Sequence, residues 1–349
     1  MCTPDPSWLR RRPDYPRGGV PFAWSANRLS GVDEPVSVES IAEASEIIDP
    51  AFRDSPQYVS EPLSERLGMS VVLKVETINP IRSFKGRGTD YLLHRLGGEA
   101  ASYVCASAGN FGQGMAYAGR KRGSPVTVFC ARNASPLKVE RMRALGAQVI
   151  LDGEDFDAAK DAAMRQAEST GAIFVEDGRL APIAEGAGTI ALELCRMEER
   201  LDAILVPLGD GALIVGVGLW LRRASPNTRV IGIAAEGAPA MDLSWRAGHV
   251  VATDTVSTIA DGIAVRVPID RALEDMRSTV DEVMLVSDEE IVSAMRLLLT
   301  DAGLVAEPAG AAGLAAAAKL RERLKGERVA VIVTGGNVGD AELKRLLAI

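Results

Sequence analysis

Residues 80–88 read PIRSFKGRG, so Ser83, Phe84 and Lys85 run directly into Gly86 and Gly88. A lysine amine that loses its proton can attack a carbonyl carbon or remove a proton from carbon, and it needs a desolvated or cationic setting to do so. Alone, Lys85 reads as a solvated charge on a turn, where most lysines lie. Three other runs carry groups that such an amine could work with. Ser107-Ala108-Gly109-Asn110 joins small residues to an amide, and Gly209-Asp210-Gly211-Ala212-Leu213 opens an apolar segment with two glycines. Thr334-Gly335-Gly336-Asn337 supplies a hydroxyl.

These four runs occupy equivalent places in the chain. Short β-branched stretches recur at 71–76, 102–106, 125–130, 148–151, 173–176, 203–208, 229–235, 283–286 and 328–333. Helical periods separate most of them, at 137–145, 158–167, 188–197, 289–299 and 311–324. Such alternation predicts an α/β fold with parallel sheets covered on both faces. Ligands in such sheets sit at the carboxyl ends of strands, and each of the four runs directly follows a strand. The first 60 residues, with an amphipathic stretch at 37–49, read as an arm that packs on the body or on a partner subunit.

Composition narrows the classes further. The chain has 349 residues, 47% hydrophobic and 25% charged, with a net charge of −8. That balance argues against a nucleic-acid surface, and no apolar run approaches a membrane span or follows Arg10, Arg11 and Arg12 as a secretory signal would. Four cysteines (Cys2, Cys105, Cys130 and Cys195) form no CxxC pair, so a reducing cytoplasm is expected. His94 and His249 lie in no recognisable catalytic setting.

Each loop has an ordinary structural reading beside the chemical one. The 209–213 loop offers backbone N–H groups and a helix dipole to an anion, or is a tight strand-to-helix turn. No Gly-Lys-Ser/Thr follows it, and Asp210 must turn its carboxylate away if a phosphate binds there. The 107–110 loop can hold a carboxylate or a ring hydroxyl, or Ser107 or Asn110 can simply cap a helix. The string Gly186-Ala187-Gly188-Thr189-Ile190-Ala191 matches the loose dinucleotide fingerprint, but Pro182 and Glu185 precede it where a buried strand should be. Taken together, a phosphate cradle, an amide, a hydroxyl and a lysine on separate strand ends are the parts needed to hold a phosphorylated aldehyde cofactor.

In the order of these motifs the chain resembles the fold-type II pyridoxal-phosphate enzymes, in particular the threonine/serine dehydratase and serine racemase group, over roughly residues 60 to 340. The resemblance implies that Lys85, after Ser83 and Phe84, binds the cofactor aldehyde and acts as base at Cα. It implies that Ser107, Ala108, Gly109, Asn110 and Phe111 hold the substrate carboxylate, with Asn110 also at the cofactor ring. Gly209, Asp210, Gly211, Ala212 and Leu213 fall at the phosphate loop, Gly262 and Glu307 lie in further family strings, and Thr334 faces the pyridine nitrogen. Glu236, Ala240 and Asp242 match a place where some relatives bind a divalent cation, Mg or Ca, although acidic residues also suit a helix start.

The resemblance also implies a large domain from 61–100 and 181–349, a small mobile domain at 101–180, and a homodimer. The chain ends soon after Thr334, so a regulatory domain of the kind some biosynthetic threonine dehydratases carry is not expected. Three departures bear on substrate: Ile81-Arg82 replaces Thr-Gly, Phe111 replaces histidine, and Gly-Asp-Gly-Ala replaces four glycines. Arg82 could recognise a polar or acidic substrate tail, or could be a solvated turn residue. The implied reaction is β-elimination from threonine, serine or a 3-hydroxyaspartate-like amino acid, giving a 2-oxo acid and ammonia. Ala108 stands where racemases place a serine, which ranks racemisation lower. A β-replacement synthase and a low-turnover cofactor-binding protein are the alternatives.

Overall fold

The computed structural model describes residues 34–97 and 101–347, so residues 1–33 of the expected arm, with Cys2 and the Arg10–Arg12 cluster, lie outside the described residues. In chain order the strands are β1 (Gln57–Val59), β2 (Ser70–Val75), β3 (Tyr103–Ala106), β4 (Val126–Cys130), β5 (Gln148–Leu151), β6 (Ile173–Val175), β7 (Ala203–Pro207), β8 (Arg229–Ala235), β9 (Glu282–Val286) and β10 (Arg328–Val333). The helices are α1 (Val38–Ile47), α2 (Glu61–Leu67), α3 (Lys85–Leu96), α4 (Asn110–Arg122), α5 (Pro136–Ala144), α6 (Phe156–Thr170), α7 (Ala181–Leu194), α8 (Ala212–Ala224), α9 (Ala240–Ala247), α10 (Asp270–Thr279), α11 (Asp288–Ala302), α12 (Pro308–Lys319) and α13 (Asp340–Leu347).

Two sheets result. One has the order β1-β2-β10-β7-β8-β9, parallel except where β1 pairs antiparallel to β2, and the other has the order β5-β4-β3-β6, all parallel. Strands covered on both faces must be apolar throughout, and every residue of β7 is buried. Three expected strands, 148–151, 229–235 and 328–333, match β5, β8 and β10 residue for residue. The edge strand β1 was not anticipated: it is three residues long, polar at Gln57, and paired on one side only.

The expected helix at 188–197 begins earlier, at Ala181, because residues 181–194 are buried on every side and have no exposed polar face to mark the start. Within it the Gly186–Ala191 string is a packing surface, not a nucleotide turn. A Cβ at Gly186 would lie 2.6 Å from the Arg87 carbonyl oxygen, and one at Gly216 of α8 would lie 1.9 Å from the Ala184 carbonyl oxygen. These glycines let α3, α7 and α8 approach backbone to backbone. Ile41 and Ala44 of α1 are buried, with Ile41 against Gly188, so the described part of the arm packs on the body.

Close approach of α3 and α7 encloses a charged cluster. Arg87 is fully buried two residues beyond Lys85. Its guanidinium donates Nε to Glu76 Oε2 at 2.9 Å, Nη1 to Glu193 Oε1 at 2.6 Å, and Nη1 to Thr189 Oγ1 at 2.9 Å. Lys74, also fully buried, donates to Glu193 Oε2 at 2.5 Å, to the Ser55 carbonyl at 2.9 Å and to Gln57 Oε1 at 3.1 Å. Two cations thus face two carboxylates, and β1, β2, α3 and α7 are joined at one point. Burial opposes the Glu193 charge, but its contacts with Arg87 and Lys74 outweigh that and hold its carboxyl below the ordinary value of 4.5.

Removing one member of such a cluster strands the others. Arg87→Met should cost about 3–5 kcal/mol of stability, measured by urea denaturation at neutral pH. The Glu193 contribution is present above the ordinary glutamate pKa and is lost as pH falls through its lower folded value, so the gap between wild type and variant should narrow in acid. A loss below about 1 kcal/mol would mean that the cluster is not a structural anchor.

Candidate active site

The sheet order decides which loops meet. β2, β10 and β7 are neighbours and run parallel, so the loops at 79–85, 334–337 and 209–213 emerge side by side at their carboxyl ends. The 107–110 loop, at the carboxyl end of β3, approaches from the other sheet. Backbone pairing then stitches the loops together. Phe84 N donates to the Thr334 carbonyl at 3.0 Å, Gly336 N donates to the Arg82 carbonyl at 2.9 Å, and Ser83 forms an antiparallel bridge with Gly335. Asn79 shapes the first loop, its Oδ1 accepting from Ile81 N at 3.1 Å and Ser83 N at 3.2 Å.

Lys85 is the first residue of α3 and points into the cleft formed by these loops. Its Nζ lies 2.7 Å from Asp177 Oδ2, 2.9 Å from Asp210 Oδ2, and 5.0 Å from the centroid of the Phe84 ring. Burial works against the ammonium, but the two carboxylates outweigh it and hold Lys85 above the usual lysine range. Asp210 turns its carboxylate toward Lys85, and its Oδ1 accepts from Ala212 N at 2.9 Å at the start of α8, where Gly211, at φ 100°, brings no side chain.

Asp177, in the loop after β6, did not emerge from the sequence. Burial, then repulsion by Asp210, push its carboxyl up to about 7, although Lys85 pulls it down. Its Oδ1 is buried without a hydrogen-bond partner. The available signal was an acidic pair, Glu176-Asp177, directly after a buried strand. Gly178 keeps the loop close, since a Cβ there would fall 2.7 Å from Asp210 Cβ.

The substrate-loop residues form the opposite wall. Ser107 Oγ accepts from Gly109 N at 3.2 Å and Gly112 N at 3.1 Å, so its oxygen shapes the start of α4. Ala108 presents only a methyl group. Asn110 donates Nδ2 to Glu307 Oε1 at 2.6 Å, and its Oδ1 accepts from Asn337 Nδ2 at 2.7 Å. Burial and the nearby Asp261 push Glu307 up to about 7, with Lys138, Asn110 and Asn337 opposing. Phe111 corrects one expectation: its ring is 3% exposed and lies in the apolar core, so it offers the cleft a backbone N–H and not a side chain. Gly262 lies against the 209–213 loop, its carbonyl oxygen 2.8 Å from the Cβ position of Gly209.

The divalent-cation expectation is not supported. Both Asp242 oxygens accept from Arg246 Nε at 2.9 Å, the Ala240 carbonyl accepts from Ser244 Oγ at 2.7 Å, and Glu236 pairs with Lys319 at 3.4 Å. All three donors are already engaged, and among the described residues no group of three or more His, Cys, Asp or Glu could hold a metal ion. His94 and His249 are exposed.

The cleft does suit a phosphorylated aldehyde. Asp210 Oδ1 already accepts from Ala212 N, so the amides at the start of α8 receive anionic oxygens and suit a phosphate, while Lys85 Nζ would be left for the aldehyde. Lys85, Asn110, the 209–213 amides and Thr334 would hold the group. These features define a class, an α/β enzyme with a cofactor lysine between two parallel sheets. A family model described as pyridoxal-phosphate dependent enzyme matches residues 48–335, and the chain belongs to that family. It is 38% identical over 314 residues to an L-threonine ammonia-lyase of Thermotoga maritima, covering 89% of this chain and 78% of that protein. Among solved structures it is similar to threonine deaminase isoform 2 from Solanum lycopersicum (TM-score 0.83, 30% identity, 91% of this chain and 90% of that one). It is also similar to maize serine racemase (TM-score 0.84, 28% identity, 90% of this chain and 98% of that one). The architecture is that of the fold-type II enzymes.

Asp177→Asn removes one of the two anions that keep Lys85 protonated. When pyridoxal phosphate is added to the cofactor-free protein, the pH at which the visible absorbance band forms at half its maximal rate should move down. An unmoved profile would show that Asp177 does not set the charge on Lys85.

Proposed function

We propose that this chain is a pyridoxal-phosphate-dependent ammonia-lyase that eliminates the β-hydroxyl of a hydroxy-amino acid and releases a 2-oxo acid and ammonia. The observation that carries this reading is the position of Lys85 Nζ, held between two carboxylates in the cleft of a chain similar over most of its length to an L-threonine ammonia-lyase. Pyridoxal phosphate, when bound, withdraws electrons from Cα and so makes its proton removable.

The protein supplies the rest. The N–H groups at the start of α4 and the 107–110 loop orient the substrate carboxylate. Lys85 Nζ takes the Cα proton as general base. Asp177 touches that same nitrogen at 2.7 Å and, with a pKa of about 7, can hold a proton near neutrality. Thr334 would offer the cofactor ring a neutral hydroxyl in place of a carboxylate, which would make the electron sink modest and favour expulsion of the β-hydroxyl. Ala108 has no proton to give from the opposite face, which favours elimination over racemisation.

Further features of the working enzyme rest on the family likeness. We propose that 101–180 moves as a small domain over the substrate, against a large domain of 61–100 and 181–349, and that the protein works as a cytoplasmic homodimer. The buried Cys105 and Cys130 and the exposed Cys195, all free thiols, are compatible with a reducing compartment. No helix among the described residues is long and apolar enough to cross a membrane.

Incubating the holoenzyme with L-threonine, L-serine and 3-hydroxyaspartate should yield 2-oxo acid and ammonia from at least one of them. Lys85→Ala should lower kcat about 10²–10⁴-fold with the cofactor still bound. No product from any hydroxy-amino acid, with a cofactor band that ignores them all, would leave a binding protein. A separate check uses Ala108→Ser, expected to add measurable racemisation of serine. Absence of that gain would remove Ala108 as the reason for elimination.

A further inference from the structure

Arg82 and Arg141 converge beside the substrate loop from two different layers, and neither has a carboxylate partner among the described residues. Among the described residues Arg82 is one of two non-glycine residues with positive φ, at 53°. Its backbone is fixed on both sides: Arg82 N donates to the Asn79 carbonyl at 3.0 Å, and the Arg82 carbonyl accepts from Gly336 N at 2.9 Å. Backbone strain that the surroundings hold in place is common at functional sites. Here it projects an exposed guanidinium from the loop that carries Lys85.

Arg141 comes from α5, outside the large sheet. Its Nη1 donates to Asn337 Oδ1 at 2.5 Å. Asn337 in turn donates Nδ2 to Asn110 Oδ1 at 2.7 Å and to the carbonyl of Ile81, the neighbour of Arg82, at 2.8 Å. Arg141 is therefore one residue removed from both the substrate loop and the Arg82 loop. Burial and the positive charge of Arg82 both push Arg141 below the usual arginine range, which places the two guanidinium groups within each other's field. Glu307 is a carboxylate that acts on Arg141 from a distance, and its oxygens already accept from Asn110 Nδ2 and Asn337 N. In a chain of net charge −8, two uncompensated cations at one rim are a directed feature.

We propose that Arg82 and Arg141 bind a second carboxylate on the substrate, so that the preferred hydroxy-amino acid is acidic, of the 3-hydroxyaspartate type. The proposal rests on the lyase reading above and adds the chemistry of the tail. Paired guanidinium forks suit a carboxylate, and the uncharged tail of threonine would leave both unpaired. The reaction balances without an added oxidant or reductant. Lys85 takes the Cα proton, the β-hydroxyl departs with a proton as water, and water re-enters to hydrolyse the imine. The products are a four-carbon 2-oxo diacid and ammonia.

The test compares kcat/KM for 3-hydroxyaspartate and L-threonine in the wild-type holoenzyme, Arg82→Asn and Arg141→Gln. Asparagine tolerates the positive φ at 82, and glutamine keeps a donor for Asn337, so the fold is spared. Each variant should lose about 10-fold or more on 3-hydroxyaspartate, chiefly through KM, and less than about threefold on threonine. Calorimetry with L-aspartate and L-alanine, neither of which has a β-hydroxyl to lose, reads the tail contact without turnover. L-aspartate should bind the wild type more tightly than L-alanine does, and each variant should erase the difference. Equal losses on both substrates, or equal binding of L-aspartate and L-alanine by the wild type, would overturn the proposal. If threonine is deaminated and 3-hydroxyaspartate is not, the arginine assignment fails and the lyase reading stands. If no hydroxy-amino acid gives a 2-oxo acid, the lyase reading fails, and the calorimetry still decides the role of the arginines.

Discussion

The Arg87 cluster is the constraint on which the site depends. Its side chain is buried among Glu76, Glu193 and Thr189, only two residues beyond Lys85. A buried guanidinium is tolerable only when its donors and charge are matched, and matching them draws the end of β2 and the middle of α7 onto the first turn of α3. Glycines at 88, 186, 188 and 216 permit the close backbone contact that this arrangement needs. The start of α3 is therefore a rigid mount. Lys85 takes its direction from that mount, and a flexible side chain on a rigid helix start can alternate between cofactor and substrate without losing its place.

Opposite that mount the cleft is polar and charged, but its charges are mutually dependent. Lys85 is held protonated by Asp177 and Asp210, and Asp177 is kept near neutrality by burial and by Asp210. A phosphate held by the 209–213 amides would compete with Asp210 for Ala212 N, so anion binding at that turn is linked to the charge balance around Lys85. The Asn110–Glu307–Asn337 network behaves similarly on the other wall, where a single carboxylate joins loops from two strand ends, after β3 and after β10. Arg141 extends that network outward and ties the α5 side of the molecule to the same loops.

Much of this was legible in the residues themselves. The strands 148–151, 229–235 and 328–333 are continuous β-branched runs between turn signals, and nothing in the tertiary structure overrides them. The start of α7 was not legible, because a helix buried on all sides has no solvent-facing polar side, and its polar Thr189 and Glu193 face an internal cluster. Four of the loops that line the cleft carry glycine or amide signatures. Asp177 and Arg141 carry none: an acidic residue after a strand and an arginine on a surface-patterned helix are common everywhere, and only their neighbours across the cleft make them part of a site. The expected metal ligands failed for the opposite reason, since Asp242, Ala240 and Glu236 each find a partner within the protein that their own sequence context does not announce.

The sequence by itself determined the alternation of strands and helices, the lysine, the order of the loops, and through them the family and its cofactor. Those depend on local patterning and on motifs that stay intact within a few residues. Only the tertiary structure decided the charge on Lys85, the inward turn of Asp210, the presence of Asp177, and the meeting of Arg82 with Arg141. These depend on distances between groups far apart in the chain and on how much water the packing excludes, and an ionisable group takes its properties from that surrounding field.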